Sequence, residues 1–355
     1  MTSQTRGKKH KIRLFCWLVA LVSLSCTAKN NGFDIVALGT AGGTNSSNLS
    51  SFLIAPYGSQ SGVACDAGSL IDGIEKAVEQ GSFVEANDSI KQKGNTIVLP
   101  PSSTHQLTGN VLQNYIKGYL ISHSHLDHLA GLLVGSVDDS TKPLYAFAPV
   151  LQNIETNYFN WQSWPNFADK GKQPRLNKYQ YSELLPGKKQ QIRNTDMFVT
   201  AYPLSHSGQL SSAFVIEYQN DIVVCLGDTG ADSIEQVDKL ASLWQAIKPA
   251  VLKGQLKAII IESSFTNERP TNLLFGHLTP QLVNQEIASL VQIIGEPSAI
   301  KGLPIIISHI KPVLRRPNPT NPVTIQEKIM AQLTADNPFD VNHIIPEQGQ
   351  YWHVE

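Results

Sequence analysis

A mixed α/β fold, arranged as an αββα four-layer sandwich, is predicted by three features of the chain. Apolar runs of strand length recur in two blocks, bounded by Gly, Pro and Asn turns. Each block is followed by longer stretches with helical patterning. The length left after a leader, about 330 residues, exceeds a typical small core but suits one large two-sheet domain.

The elements follow in order. Phe33–Leu38 reads as a strand that enters a Gly-rich turn, and Ser51–Ala55 and Gly62–Asp66 pair as a hairpin around Pro56-Tyr57-Gly58. A helix follows near Ser69–Gln80, and Tyr119–Ser122 is the strand that closes the first block. In the second block Thr195–Tyr202, Ala213–Tyr218 and Ile222–Leu226 are strands, the last two joined by a turn at Gln219-Asn220-Asp221. Ile234–Ile247 is helical in pattern, and Ala258–Ile261 and Pro304–Ser308 are strands flanking a helix over Pro280–Ile294. From Asn318 the tail is interrupted by prolines, offers a short helix near Ile325–Leu333, and ends with Trp352 and His353. No internal repeat or low-complexity tract interrupts this order.

Residues 1–28 are expected to lie outside the fold. Arg6, Lys8, Lys9, Lys11 and Arg13 make a basic head, and Leu14–Leu24 an apolar stretch of about a dozen residues, too short for a span and suited to a signal peptide. Ser23-Leu24-Ser25-Cys26 resembles a lipoprotein cleavage box with Ser23 at an unusual position; ordinary cleavage after Cys26-Thr27-Ala28 is the alternative. The reading is a bacterial exported protein, soluble in the periplasm or lipid-anchored at Cys26, with no other membrane contact expected. Residues 29–355 are expected to form a single domain.

Removing residues 1–25 takes away five of the 28 basic residues and none of the 29 acidic ones, leaving 23 against 29, a net charge of −6. That balance argues against a nucleic-acid polymer as partner. It does not by itself exclude a small anion as ligand. Cys16 lies in the leader, Cys26 is lost or lipidated, and Cys65 and Cys225 remain inside apolar runs. Two cysteines make no disulfide framework, and two buried thiols are the favoured reading.

The chemistry begins at His123-Ser-His-Leu-Asp-His128, directly after the apolar Tyr119-Leu120-Ile121. His123 and His125 alternate across an extended turn and can grip one ion; Asp127 and His128 can grip a second. Paired ions about 3.5–4 Å apart are a common device for hydrolysing phosphate esters and acyl bonds. His206, Asp228 and His309 each follow another apolar run, where a rigid scaffold displays reactive groups. A lone His is usually structural and a lone Asp after a strand usually caps a helix. Seven ligand-type residues, all at strand exits, point instead to a dinuclear site. The Gly39-Thr-Ala-Gly-Gly43 turn lacks the GxGxxG spacing and any P-loop Lys, which excludes a dinucleotide fingerprint.

These motifs resemble the metallo-β-lactamase superfamily. The longer stretch His123–Ser136 resembles the signature of its class II cyclic-nucleotide phosphodiesterases, with Val137 as a departure. Gly39–Gly43 with Asn48-Leu49-Ser50, Asp66-Ala-Gly68, Trp164-Pro-Asn166, Gly227-Asp-Thr-Gly230, His277-Leu-Thr-Pro280 and His309-Ile-Lys-Pro312 extend the likeness over roughly residues 33–315. The resemblance implies that His123, His125 and His206 bind one metal, that Asp127, His128 and His309 bind the other, and that Asp228 bridges them. Zn²⁺ suits such ligands, with Mn²⁺ or Fe as alternatives. It further implies in-line attack of a metal-activated hydroxide on a cyclic nucleotide, cAMP or cGMP, giving the 5′-monophosphate, with Asp228 and His277 as catalytic residues.

His277 is the candidate proton donor to the leaving oxygen; its alternative is a helix cap. Asp66 is a candidate partner that orients a ligand histidine, or else a turn residue. Lys311 is placed to hold phosphate, unless it is simply solvated, and Asn48 to line the site. Trp161, Trp164 and Asn166 lie in an aromatic-rich segment read as an insertion near residues 138–195. Its rings suit stacking on a purine or a small satellite core. Another exported hydrolase of the superfamily, acting on a lactone, a β-lactam or another phosphodiester, is the competing function. A homodimer is left open.

Overall fold

The computed structural model describes residues 1–2, 32–86, 96–314 and 322–355. The leader, with Cys16 and Cys26, therefore lies outside the described residues.

The strands are β1 (Phe33–Gly39), β2 (Ser51–Pro56), β3 (Gly62–Cys65), β4 (Phe83–Glu85), β5 (Ile97–Leu99), β6 (Ile116–Leu120), β7 (Lys142–Ala146), β8 (Tyr179–Glu183), β9 (Lys189–Gln191), β10 (Phe198–His206), β11 (Gln209–Tyr218), β12 (Asp221–Leu226), β13 (Leu256–Glu262), β14 (Pro304–Ser308), β15 (Asn342–Ile344) and β16 (Tyr351–Val354). The helices are α1 (Ile71–Glu79), α2 (Leu107–Asn110), α3 (Ala130–Gly135), α4 (Ala148–Asn157), α5 (Asp232–Glu235), α6 (Lys239–Leu252), α7 (Pro280–Ile294) and α8 (Ile325–Ala335). Two seven-stranded sheets form, ordered β16-β1-β2-β3-β6-β7-β8 and β15-β14-β13-β12-β11-β10-β9, while β4 and β5 make a small separate pair.

Three buried layers hold the sandwich. Phe52, Ile54, Phe214, Val223 and Ile260 pack between the sheets. Leu38, Ile74, Tyr119 and Ile154 pack α1 and α4 on the outer face of the first sheet. Trp244, Ile259, Ile287 and Leu290 do the same for α6 and α7 on the second. Burying each such side chain is worth about 1.5–3 kcal/mol. This is the αββα architecture expected from the sequence.

Local chemistry explains most boundaries. In α7, Pro280 occupies the first turn, the Thr279 hydroxyl accepts from the Leu282 N–H, and Gly295 closes the helix at φ +76°. Its Val283, Ile287, Leu290, Val291 and Ile294 recur on one face and are buried. A Thr324/Glu327 capping box starts α8.

Several expectations change. The single helix expected over Ile234–Ile247 is two, α5 and α6, broken at Gln236 with φ +55°. The Asp232 carboxylate accepts the N–H groups of Lys239, Leu240 and Ala241 at 3.0, 3.1 and 2.9 Å, so it caps α6 across the break. The strand expected over Thr195–Tyr202 begins only at Phe198 and runs on to His206, because Thr195 turns back onto the Ile192 carbonyl. Within the segment read as an insertion, β7 and β8 complete one edge of the first sheet. At the other edge β16 pairs with β1, Phe33 opposite Val354.

Cys65 and Cys225 are joined in a disulfide, not held as two thiols. Cys65 ends β3 in one sheet and Cys225 lies on β12 in the other, and the two face each other across the inter-sheet core. The bridge spans 160 residues of chain, so it restrains the unfolded state strongly. The double variant Cys65→Ala/Cys225→Ala is expected to lose about 2–5 kcal/mol of unfolding free energy. Denaturant melts should show the same loss when the wild type is reduced, and coincident midpoints would contradict it.

Candidate metal centre

The site forms where strands end. β3 and β6 run parallel, as do β12, β13 and β14, so their carboxyl ends share one side of the sandwich, where loops of α/β sheets gather ligands. Asp66 follows β3, the His123–His128 loop follows β6, His206 ends β10, Asp228 follows β12, Glu262 ends β13 and His309 follows β14. Six of the chain's ten histidines meet there: His123, His125, His128, His206, His277 and His309.

Three sets of possible ligand atoms emerge among the described residues. One is His206, Asp228, Glu262 and His277, which shares His206 and Asp228 with the first of the other two. His123, His125, His206 and Asp228 converge on one point, and Asp127, His128 and His309 on another. Asp228 lies between them, its Oδ1 3.2 Å from His128 Nε2 and its Oδ2 3.2 Å from His309 Nε2, 3.8 Å from His206 Nε2 and 3.9 Å from His123 Nε2. The Nε2 atoms of His123 and His128 are buried without a hydrogen bond. A buried imidazole nitrogen aimed at carboxylates and other imidazoles, with no proton partner, has the chemistry of a metal ligand.

Four of the five candidate ligand rings, all but His125, are fixed through Nδ1. Asp66 Oδ2 lies 2.7 Å from His128 Nδ1, and Asp66 accepts from the Ser122 N–H and hydroxyl at 2.7 and 2.8 Å. With its own proton spent on Asp66, Ser122 Oγ accepts from His123 Nδ1 at 3.0 Å. His206 Nδ1 donates to the Gly276 carbonyl at 2.8 Å, and His309 Nδ1 meets Ser264 Oγ at 2.9 Å. Such partners set tautomer and orientation. The candidate role of Asp66 thus has a geometric basis. Gly42 packs so closely on His309 that a Cβ there would lie 2.4 Å from the ring.

Glu262 was missed by sequence reasoning. It ends the apolar run Leu256–Ile261, the same signal that marked the other site residues. Its carboxylate is buried, lies 2.9 and 3.0 Å from His277 Nδ1, and accepts from Thr229 N, Leu278 N and Ser264 Oγ. His277 Nε2 carries no hydrogen bond among the described residues.

Burial and charge set the protonation states. Burial pushes the His123 and His125 imidazoles down. Burial would raise Asp228, but His309 and His128 overcome it and hold the carboxyl well below its usual range. The hydrogen bond from His309 likewise lowers Asp127 against burial. Burial would lower His128, yet Asp228 and Asp66 raise it. Burial opposes the charges on Glu262 and His277 alike; each partner outweighs it, lowering Glu262 and raising His277. Neutral His123 and His125 and ionised Asp127 and Asp228 are the forms a metal needs.

The expected substrate residues are placed as follows. Asn48 holds its own loop, its Oδ1 accepting from Thr40 N at 2.8 Å and its Nδ2 donating to Thr40 Oγ1 at 3.1 Å. Asn166 is buried and donates to the carbonyls of Lys170 and Lys172. Trp161 Nε1 donates to the Pro174 carbonyl and Trp164 Nε1 to Ser136 Oγ. The aromatic segment reaches the metal loop through Tyr158, whose hydroxyl donates to the Ser124 carbonyl at 3.0 Å. Lys311 follows His309 closely, and a Cβ on Gly43 would lie 3.7 Å from its ammonium.

Known proteins share this arrangement of the chain. The profile of the cAMP phosphodiesterases class-II matches residues 32–349. A 3′,5′-cyclic-nucleotide phosphodiesterase of Aliivibrio fischeri is 41% identical over 340 residues, covering 96% of this chain and 98% of that one. A probable 3′,5′-cyclic-nucleotide phosphodiesterase of Yersinia pestis is 36% identical, covering 92% of this chain and 91% of that one. Among solved structures, unliganded yeast PDE1 superposes with a TM-score of 0.75 at 20% identity, over 91% of this chain and 99% of that one. The metallo-β-lactamase fold protein YhfI of Bacillus subtilis superposes at 0.53 and 14% identity, over 91% of this chain and all of its own. The sandwich is thus the metallo-β-lactamase fold, and the chain belongs to the class-II cAMP phosphodiesterase family of enzymes.

Proposed function

We propose that the protein hydrolyses 3′,5′-cyclic nucleotides, cAMP, cGMP or both, to nucleoside 5′-monophosphates with two divalent metal ions, zinc before manganese or iron. The observation that carries this is the convergence of seven His and Asp ligand atoms at one rim, with the Glu262–His277 pair beside them. The donor set suits the metals: the partnerless Nε2 atoms of His123 and His128 are buried against ionised Asp228. In this reading His123, His125 and His206 would hold one ion and Asp127, His128 and His309 the other, with Asp228 placed to serve both. When bound, the pair supplies a water-derived nucleophile at neutral pH and takes up charge on the phosphoryl oxygens.

The chain's own residues do the rest. Asp66, Ser122, Ser264 and the Gly276 carbonyl hold the rings of His128, His123, His309 and His206, which limits reorganisation during the reaction. Glu262 keeps His277 protonated, and His277 Nε2 delivers that proton to the 3′ oxygen as it leaves. Lys311 adds fixed positive charge at the rim for the phosphate. Export is part of the proposal, with a leader over 1–28, one domain over 29–355, and the protein periplasmic or lipid-anchored at Cys26. The Cys65–Cys225 disulfide supports it, because such bonds persist in oxidising compartments.

The test is chromatography of cAMP after incubation with the zinc-loaded protein. 5′-AMP is the expected product, and chelator-stripped protein is expected to give none until metal is restored. Intact cAMP, or 3′-AMP as product, would sink the reading and leave lactones, β-lactams and other phosphodiesters as substrates to screen.

A further inference from the structure

A cleft of about 600 Å³, a size that houses small ligands, lies beside the candidate metal centre. Its inner end is Ser264, whose hydroxyl lies 3.2 Å from His277 Nδ1 and 2.9 Å from His309 Nδ1. Phe265 continues the wall, its ring edge-on to His277 at 5.8 Å. Arg269 then lies over Phe265, guanidinium carbon to ring centroid 4.5 Å, with Phe275 on another side at 5.9 Å. Lys311 lines the same cleft.

These groups are held but not used up. Arg269 Nε donates to the Leu273 carbonyl at 2.9 Å, which fixes the plane of the guanidinium. Its terminal nitrogens make no hydrogen bond or ion pair among the described residues. Phe275 is 59% exposed although large and apolar. It sits at φ +53°, a conformation that costs a non-glycine residue. The next residue, Gly276, accepts from His206 Nδ1 through its carbonyl, so the backbone beside Phe275 is tied to a candidate metal ligand. A planar cation stacked on an aromatic ring, with a second ring exposed nearby, offers π-faces and donors together.

We infer that this cleft is the nucleoside subsite, in which the Phe265–Arg269–Phe275 cluster stacks on the base while the phosphate lies between Lys311 and the metal centre. The inference rests on the phosphodiesterase reading and deepens it. It assigns the base to the loop that carries His277, not to the Trp161–Trp164 segment, which does not line this cleft. One loop would then position both the base and the proton donor.

The experiment compares the metal-loaded full chain with Arg269→Ala/Phe275→Ala and with Trp161→Ala, using cAMP as substrate and 5′-AMP and ribose 5-phosphate as ligands. Both cluster residues face solvent at least in part, so folding is expected to survive; metal content and thermal melts check it. The wild type should bind 5′-AMP about ten-fold or more tighter than ribose 5-phosphate, because base stacking supplies that much. In Arg269→Ala/Phe275→Ala that ratio should collapse towards one, and KM for cAMP should rise about ten-fold with kcat changed far less. If the wild type hydrolyses cAMP but the cluster variant keeps the ratio, the subsite assignment fails alone. Loss of the ratio in Trp161→Ala instead would move the base to the aromatic segment and overturn it equally. A wild type that leaves cAMP intact would remove the phosphodiesterase reading itself.

Discussion

Asp228→Ala is expected to lower kcat/KM for cAMP by about 10³-fold or more, the largest single effect at this site. Asp228 is the one carboxylate within 4 Å of Nε2 atoms from both ligand groups: His123 and His206 on one side, His128 and His309 on the other. It is 2% exposed, so water cannot replace its charge. Removing it leaves a cluster of imidazoles with no central anion, which would weaken binding of both proposed ions at once. Elemental analysis should therefore find less than two equivalents of metal in the variant. Asp228→Asn separates charge from shape, since it keeps the volume and removes the anion. Full metal content with activity within ten-fold of wild type in both variants would sink the bridging role.

Glu262→Gln is expected to lower kcat for cAMP by about 10²-fold, the scale of a lost general acid. The carboxylate is the main charge that raises His277 against burial. A raised imidazole keeps its proton to higher pH, so a step that needs protonated His277 declines only as pH rises through that raised value. Taking the charge from residue 262 lowers His277, and the alkaline limb of the kcat–pH profile should shift to lower pH. A phosphodiester with a p-nitrophenol leaving group provides the control, because a weakly basic leaving oxygen needs little protonation. The variant should lose much less activity on that substrate than on cAMP. An unshifted alkaline limb, or equal losses on both substrates, would mean that Glu262 is only a packing and capping residue.

How much of this was legible in the chain follows from the range of each signal. Strand patterns and helix caps are local. The Phe33–Leu38 run, the hairpin around Tyr57 and helix Pro280–Ile294 were therefore readable within a residue or two. The HxHxDH spacing is local as well, and the other ligand-type residues share one signature, an apolar run followed by a polar side chain. Glu262 carries that signature and was passed over, because an acid at a strand end is common and its meaning depends on His277, fifteen residues away.

Consecutive residues carry the two-block αββα architecture and the metal-type residues at its strand exits, through hydrophobic periodicity and motif spacing. Only the tertiary structure decided which cysteines pair, because Cys65 and Cys225 meet across two sheets and not along one. The same holds for the break at Gln236 that makes two helices of one pattern, for the pairing of β16 with β1, and for the stacking of Arg269 on Phe265, which in turn packs edge-on against His277. Each of these depends on contacts between segments distant in the chain or on a single residue's turn, and no window of consecutive residues contains that information.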